Sequence, residues 1–131
     1  MSNKKLTDGL PSRRSACPIA AALDLVGDKW SLLLIRDIGL FERHRNKDFQ
    51  NAAETMPSNI LADRLKRMTA YGLLEKRRYE ERPPRYEYHL TRQGRELLPV
   101  LRELASWSER NLVGVKIPRR VKARAGGTGS D

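Results

Sequence analysis

Apolar residues recur at helical spacing along the first third of the chain, and turn residues separate the segments. A helix is predicted over 19–28, because Pro18 favours the first position of a helix and Gly27 favours its end. Asp28 is the expected cap of a second helix, from Lys29 to Ile38. The pattern therefore predicts two short helices joined by a tight turn.

The next two segments predict a short third helix and a longer fourth helix. The third is expected over 47–54, with Phe49 in the core. Ser58 is the expected N-cap of the fourth helix, and Gly72 is its expected end. At about 100° per residue, the fourth helix buries one apolar face and presents a polar face outward. The buried face holds Leu61, Leu65 and Met68, and the outward face holds Asn59, Asp63, Lys66 and Ala70, with Arg67 beside it.

Residues 73–90 change to the two-residue period of strands and predict a β-hairpin. Within them, Glu80–Arg85 is expected to be a loop, because its two prolines cannot donate the hydrogen bonds of a β-ladder. Thr91 is the expected cap of a last helix, in which Pro99 either ends the first part or bends the helix. Together these elements predict a mostly α fold with a small β-hairpin (α+β), the winged helix-turn-helix.

The positive charge of the chain is concentrated at its two ends and over one internal stretch. The 131 residues carry 26 Lys+Arg against 16 Asp+Glu, a net charge of +10. Residues 58–95 hold ten basic and five acidic side chains, which favours contact with phosphates, although a solvated arginine-rich face gives the same count. The ends have the composition of frayed tails. We therefore expect a flexible basic tail over 1–16, one folded domain over 17–112 and a second flexible basic tail over 113–131.

The fourth helix and the tip of the hairpin carry the expected contacts with double-stranded DNA. The major groove is wide enough for one helix, and an arginine on a stiff hairpin tip fits the adjacent minor groove. Asp63 has two interpretations: its carboxylate accepts a hydrogen bond from a cytosine amino group, or it holds Arg67 four residues later. The predicted DNA contacts are Ser58, Asn59, Asp63, Lys66, Arg67, Arg82 and Arg85.

Three stretches of the chain together resemble one family of bacterial regulators. They are CPIAAALDLVGDKWSLLLIRDI, PSNILADRLKRMTAYGLLEKRRY and PPRYEYHLTRQGREL, and they contain the motifs Gly-Asp-Lys-Trp at the second helix and Leu-x-x-Arg-Leu in the fourth. Over residues 17–110 the chain is similar to the HxlR-type branch of winged-helix transcription regulators, which are relatives of the MarR group. The resemblance implies a homodimer that binds a pseudo-palindromic operator as a repressor or an activator.

The resemblance also implies that the first and last helices form the seam of the dimer. A long helix appended to a compact winged helix leaves an apolar stripe exposed, which favours this placement. Packing of the same residues within one chain is the alternative. The seam residues that the resemblance implies are Ile19, Ala22, Leu23, Val26, Leu97, Leu101, Leu104 and Trp107.

Cys17 immediately precedes the first helix. Some relatives are described as sensing oxidants or electrophiles through a cysteine at this position, so the resemblance implies a candidate for redox sensing. The helix dipole and the nearby Arg13 and Arg14 favour the reactive thiolate. The alternative is a small buried apolar side chain without a redox role.

The rest of the sequence argues against several other classes of protein. One cysteine excludes an internal disulfide framework, and His44 and His89 lack partners at the spacing of a metal site, so neither a metal nor a cofactor is expected. A Gly-rich phosphate loop and paired carboxylates are missing, so the chain is not expected to be an enzyme. No stretch is apolar enough for a membrane helix, and we expect a cytoplasmic protein that associates with the nucleoid through DNA.

Two alternatives to a sequence-specific regulator stay open. Ends as basic as these bind any polyanion, so a sequence-neutral nucleic-acid-binding protein fits the same charge. A winged helix also serves as a module for protein contacts. The sequence identifies neither the operator nor a small-molecule or oxidant effector.

Overall fold

The computed structural model describes residues 5–117; of the tails expected over 1–16 and 113–131, the parts 1–4 and 118–131 lie outside the described residues. The elements in chain order are α1 (Pro18–Val26), α2 (Ser31–Gly39), α3 (Asn46–Gln50), α4 (Ser58–Tyr71), β1 (Leu74–Glu81), β2 (Pro84–Leu90), α5 (Arg92–Arg95) and α6 (Leu98–Asn111). The two strands form one antiparallel hairpin, and α3 and α4 form the helix-turn-helix in front of it. This arrangement is a winged helix-turn-helix, which confirms the predicted fold class.

The core is built from the apolar faces that the helical spacing predicts. Phe49 of α3 is completely buried in a core cluster that also contains side chains of α2, α4 and the hairpin. The buried residues of α4 recur one turn apart, so the whole inner face of that helix is anchored. They are Leu61, Leu65 and Met68. The outer face of α4 is therefore fixed toward solvent.

Several helix boundaries differ from the predictions, and α1 ends at Val26 instead of at residue 28. α2 begins at Ser31, two residues later than expected, although the Asp28 carboxylate still accepts hydrogen bonds from the amides of Trp30 and Ser31 at 3.0 and 3.1 Å. α3 ends at Gln50 and does not reach residue 54. Ser58 was wrong as the N-cap of α4, because Pro57 occupies that position without a side-chain hydrogen bond. Each difference falls at a helix end, where local signals are weakest.

The predicted loop over Glu80–Arg85 was also wrong, because the ladder continues almost to the tip of the hairpin. Glu80 pairs with Arg85 and Glu81 pairs with Pro84, so only the cis-linked Arg82 and Pro83 form the turn. A two-stranded sheet has an open edge on both sides, and proline is tolerated in an edge strand. The register shifts between Arg78 and Glu80, as at a β-bulge.

The last predicted helix is divided in two. The hydroxyl of Thr91 accepts a hydrogen bond from the amide of Gly94 at 3.1 Å, which confirms Thr91 as the cap of α5. The helix stops after four residues, and α6 starts at Leu98 with Pro99 in its first turn. Of the two outcomes that the sequence left open, Pro99 thus marks a break between two helices. α6 packs on α2.

Residues 5–16 pack against the domain and do not extend away from it as the expected tail. Leu6 is half-buried against the core. Gly9 has a φ of 75° and lies so close to α4 that an added Cβ would be 2.5 Å from the carbonyl oxygen of Ala70. Arg14 Nε lies 2.5 Å from Asp24 Oδ1. The segment is therefore attached at the end of α4 and again on α1.

A buried carboxylate joins α2 to the loop that follows it. Asp37 is 1% exposed, and its Oδ1 accepts hydrogen bonds from Arg36 at 2.8 Å and from Arg43 at 3.1 Å. Burial raises the pKa of Asp37, and the two guanidinium groups oppose that rise. Arg36 also binds the more exposed Glu54 at 2.9 Å. The cluster fixes the entry to the helix-turn-helix.

Over residues 5–117, every helix is too short or too polar to span a bilayer.

Candidate nucleic-acid interface

The outward face of α4 is polar and open to solvent. Ser58, Asn59 and Lys66 are exposed, and neither Asn59 nor Lys66 forms an ion pair or side-chain hydrogen bond within the described part of the chain. A free ammonium and a free amide on a helix that fits the major groove are suitable donors for base edges and phosphates. The structure thus places these three predicted contacts on one accessible surface.

Asp63 holds two arginines of its own helix. Its Oδ2 lies 2.9 Å from Nε of Arg67, the i,i+4 pair that was one of its two interpretations. The guanidinium of Arg64 contacts the same oxygen. A hydrogen bond from a cytosine would have to compete with both arginines. The geometry therefore favours the interpretation of Asp63 as the ion-pair partner of Arg67.

Arg64 lies beside the predicted contacts on α4 and was not predicted as a site residue from the sequence. Its Nε donates to Asp28 Oδ2 at 2.9 Å, and its side chain is only 15% exposed. Burial acts to raise the pKa of Asp28, but hydrogen bonds from the Ser31 hydroxyl, Arg64 and the Trp30 amide outweigh it and lower that pKa to about 2. The signals in the sequence were its place in the Leu-x-x-Arg-Leu motif and its position beside Leu65, at the edge of the apolar face.

The hairpin, called the wing from here on, presents one free arginine and one paired arginine at its tip. Arg82 is exposed and makes no ion pair within residues 5–117. Arg85 is also exposed, but its Nε lies 3.0 Å from Glu80 Oε1. Arg82 is therefore the wing cation that is immediately available to a phosphate or to the minor groove.

Two further cations that were not predicted as contacts lie where the wing meets α3. The guanidinium of Arg45 stacks 3.9 Å from the ring centre of Tyr79 and binds Glu87 at 3.1 Å. Lys47 is exposed beside it. Both line a cleft of about 470 Å³ with Pro83, and the basic stretch RHRNK was the signal for them.

The two histidines have a structural position at the base of the wing. Their rings stack with centroids 4.3 Å apart, and a ring nitrogen of His44 lies 3.0 Å from the carbonyl oxygen of Tyr88. The amide of Tyr88 donates to the carbonyl of His44 at 2.8 Å. No three His, Cys, Asp or Glu side chains among the described residues are placed to hold a metal ion. His44 and His89 thus dock the wing on the α2–α3 loop.

The residues implied for the dimer seam divide into exposed and packed groups. Trp107 is 53% exposed and Leu104 is 49% exposed on α6, in line with an exposed Val100 that the sequence analysis did not include. Ile19, Ala22 and Leu23 are exposed on α1. Leu97 and Leu101 are half-buried against the core of their own chain. Val26 is 5% exposed, so it has almost no surface to offer a partner and we remove it from the seam.

Cys17 is exposed at the N-cap position of α1, which contradicts the alternative of a small buried apolar side chain. Its amide donates to the hydroxyl of Ser15 at 3.2 Å. Arg14, expected to support a thiolate, is bound to Asp24 through its Nε. The thiol of Cys17 is accessible, but the charge of Arg14 is already paired and is not directed at it.

Comparisons with known proteins agree with this geometry. The family model described as HxlR-like helix-turn-helix matches residues 25–115. The chain is 33% identical over 94 residues to the HTH-type transcriptional regulator BH0655 of Halalkalibacterium halodurans, covering 72% of this chain and 83% of the relative.

Solved structures of regulators share the fold. The reduced form of the transcriptional regulator YodB from Bacillus subtilis is 27% identical with a TM-score of 0.61, over 76% of this chain and 97% of that chain. The redox regulator HypR in its oxidized form is 29% identical with a TM-score of 0.64, over 72% and 97%. Such regulators are non-enzymatic DNA-binding proteins. A match that runs from the end of α1 to the end of α6 therefore assigns the chain to the HxlR family of helix-turn-helix transcriptional regulators.

Proposed function

We propose that the chain binds a pseudo-palindromic operator as a homodimer, with α4 in the major groove and the wing at the adjacent minor groove. The observation that carries this proposal is the outward face of α4, where Asn59 and Lys66 are exposed and unpaired while the opposite face is anchored in the core. Two such helices about one helical turn apart, roughly 34 Å, reach two half-sites on one side of the duplex.

The contacts divide by the kind of information they carry. Lys66 and Asn59 are suited to base edges, whereas Ser58 and Arg67 lie at positions suited to phosphates. Arg82 and, after release from Glu80, Arg85 are suited to the minor groove. Base contacts set the preferred sequence, and phosphate contacts set the general affinity and its salt dependence.

The apolar surface on α1 and α6 supports a second copy of the chain as the partner. Leu23 on α1 and Val100, Leu104 and Trp107 on α6 are large apolar side chains that one chain leaves open. Exposed apolar groups of this size mark interaction sites in soluble proteins. A homodimer covers both helices in one symmetric contact.

Selection of bound duplexes from a random pool, with the full chain at near-physiological salt, tests the proposal. The expected result is an inverted repeat with half-sites one helical turn apart. Strong binding without a recovered motif would favour the sequence-neutral alternative, since phosphate contacts alone bind any duplex. Absence of binding would favour a winged helix used for protein contacts.

We expect Lys66→Ala and Arg82→Ala to lower affinity in different ways. Loss of a base contact by Lys66→Ala should cost about 1–3 kcal/mol on the operator and relax the preference at one base position. Loss of a phosphate or groove contact by Arg82→Ala should weaken all duplexes similarly and reduce the salt slope by about one. Arg85→Ala should have a smaller effect, because Arg85 first has to leave Glu80. Titrations of operator and scrambled duplexes over a salt series measure both quantities, and unchanged affinity in all three variants would contradict the DNA interface.

We further propose that Cys17 senses oxidants. The exposure of its thiol at the start of α1 supports this, as does the likeness to HypR, which is described as a redox regulator. With one cysteine per chain, the disulfide forms between two subunits or with a small thiol, and the oxidant takes up the two electrons. Cys17→Ser should abolish the change in operator affinity after diamide treatment and leave the affinity without oxidant unchanged. A response that persists in Cys17→Ser would contradict sensing at this residue.

A further inference from the structure

Two sequence motifs that lie 36 residues apart meet in one ion pair. Asp28 belongs to Gly-Asp-Lys-Trp, and Arg64 belongs to Leu-x-x-Arg-Leu of α4. Nε of Arg64 donates to Oδ2 of Asp28 at 2.9 Å. The pair thus connects the helix that faces DNA with the turn between α1 and α2, and neither residue is needed for the contacts proposed above.

Asp28 is a rigid anchor for this pair. Its carboxylate accepts hydrogen bonds from the hydroxyl of Ser31 at 2.6 Å and from the amides of Trp30 and Ser31. These bonds satisfy the free N–H groups at the start of α2, so Asp28 cannot move without opening the first turn of that helix. The low pKa of Asp28 keeps the anchor ionised under all physiological conditions.

Arg64 is held on both sides and lies away from the outward face of α4. Its Nε binds Asp28, and its Nη1 binds Asp63, which also holds Arg67. The helical period places it beside the apolar stripe, and its side chain is largely buried. To reach a phosphate, Arg64 would have to leave two carboxylates at once.

We propose that Arg64 is a positioning residue, which through Asp28 fixes the rotation of α4 about its axis and so decides which side chains face the base edges. This rests on the proposed function, in which α4 enters the major groove. The pair sets sequence preference without touching DNA. Because Asp28 follows α1 after a single glycine, it also ties the orientation of α4 to the end of α1.

Full-chain variants Asp28→Asn, Arg64→Gln and the double variant test the inference, with Arg67→Gln as a matched control on the same helix. Each is titrated with the duplex recovered by selection and with a duplex in which one half-site is scrambled, over a salt series. Each single variant should lower the ratio of the affinities for the selected and the scrambled duplex by about tenfold. The double variant should lower this ratio no further. The salt slope should not change in any of the three. Arg67→Gln should lower the salt slope by at most about 0.9, because Arg67 first has to leave Asp63 to reach a phosphate.

Arg64→Lys separates positioning from charge. Lysine keeps the charge of Arg64 but lacks the planar fork that bridges two carboxylates, so Arg64→Lys should lose the preference as Arg64→Gln does, with an unchanged salt slope. A phosphate role predicts the opposite signs: Asp28→Asn would release Arg64 and strengthen binding, whereas Arg64→Gln would weaken it with a lower slope. That result, or equal losses on both duplexes, would overturn the inference.

Hydrogen exchange on the DNA-free chain keeps the inference separate from the proposed function. Asp28→Asn and Arg64→Gln should each speed exchange of the α4 amides relative to those of the wing, and Arg67→Gln should not. Unchanged α4 exchange overturns the inference whatever the DNA titrations give. A wild-type chain without any duplex preference overturns the proposed function, while the exchange result still decides whether the pair holds α4.

Discussion

Leu104→Asp is expected to convert the homodimer into a monomer and to lower operator affinity by about 10² or more. Leu104 lies half-exposed on α6 between Val100 and Trp107, in the middle of the apolar surface proposed as the seam. An unpaired carboxylate buried there is strongly unfavourable. A monomer engages one half-site only and loses the gain from simultaneous binding of two. Light scattering gives the mass, and duplex titration gives the affinity.

Leu104→Met is the matched control, because it keeps an apolar side chain of similar volume and should leave the dimer intact. The structure makes Leu104 a better test than Leu101, which is half-buried against its own chain's core and would also destabilise the fold when charged. A Leu104→Asp chain that remains dimeric and folded would place the seam elsewhere.

Asp37→Ala is expected to lower the free energy of unfolding by about 3–5 kcal/mol. The substitution removes the shared partner of Arg36 and Arg43 from a position that is 1% exposed and leaves the guanidinium of Arg36 partly buried with a single carboxylate. Breaking a buried pair in this way costs far more than breaking one at the surface. Urea denaturation followed by circular dichroism measures the change.

Glu54→Ala is the control for Asp37→Ala, because it removes the other carboxylate of the same guanidinium. Glu54 is 40% exposed, so its loss should cost less than about 1 kcal/mol. If both substitutions lowered the free energy of unfolding equally, burial of Asp37 would not explain its contribution to stability.

The parts of the fold that depend on local period were predictable from the sequence. The inner face of α4 and the burial of Phe49 follow from helical spacing, and both are found as expected. The loop expected over Glu80–Arg85 was wrong because proline is excluded only from strands that pair on both sides. The hairpin has two strands, so each has an open edge, and this cannot be read from the local sequence. The prediction of Ser58 as an N-cap was wrong because the cap position depends on the backbone conformation with which the chain enters the helix.

In the proposed DNA interface, the sequence predicted only the exposed side chains on the outward face of a predicted helix and at the tip of the predicted hairpin. Asn59 and Lys66 could be placed from period alone. Arg64 and Arg45 could not, because their partners Asp28 and Glu87 lie 36 and 42 residues away and only the tertiary fold brings them together.

The packing of residues 5–16 also decides how this protein can be truncated. A fragment that begins at residue 17 would uncover the site of Leu6 beside the core, leave Asp24 without its arginine and free the end of α4 from Gly9. Such a fragment would differ from the full chain in solubility and in the mobility of α4, and its DNA affinity would not report the contribution of a basic tail. A fragment made for crystallisation or display should therefore keep the chain from Leu6 onward.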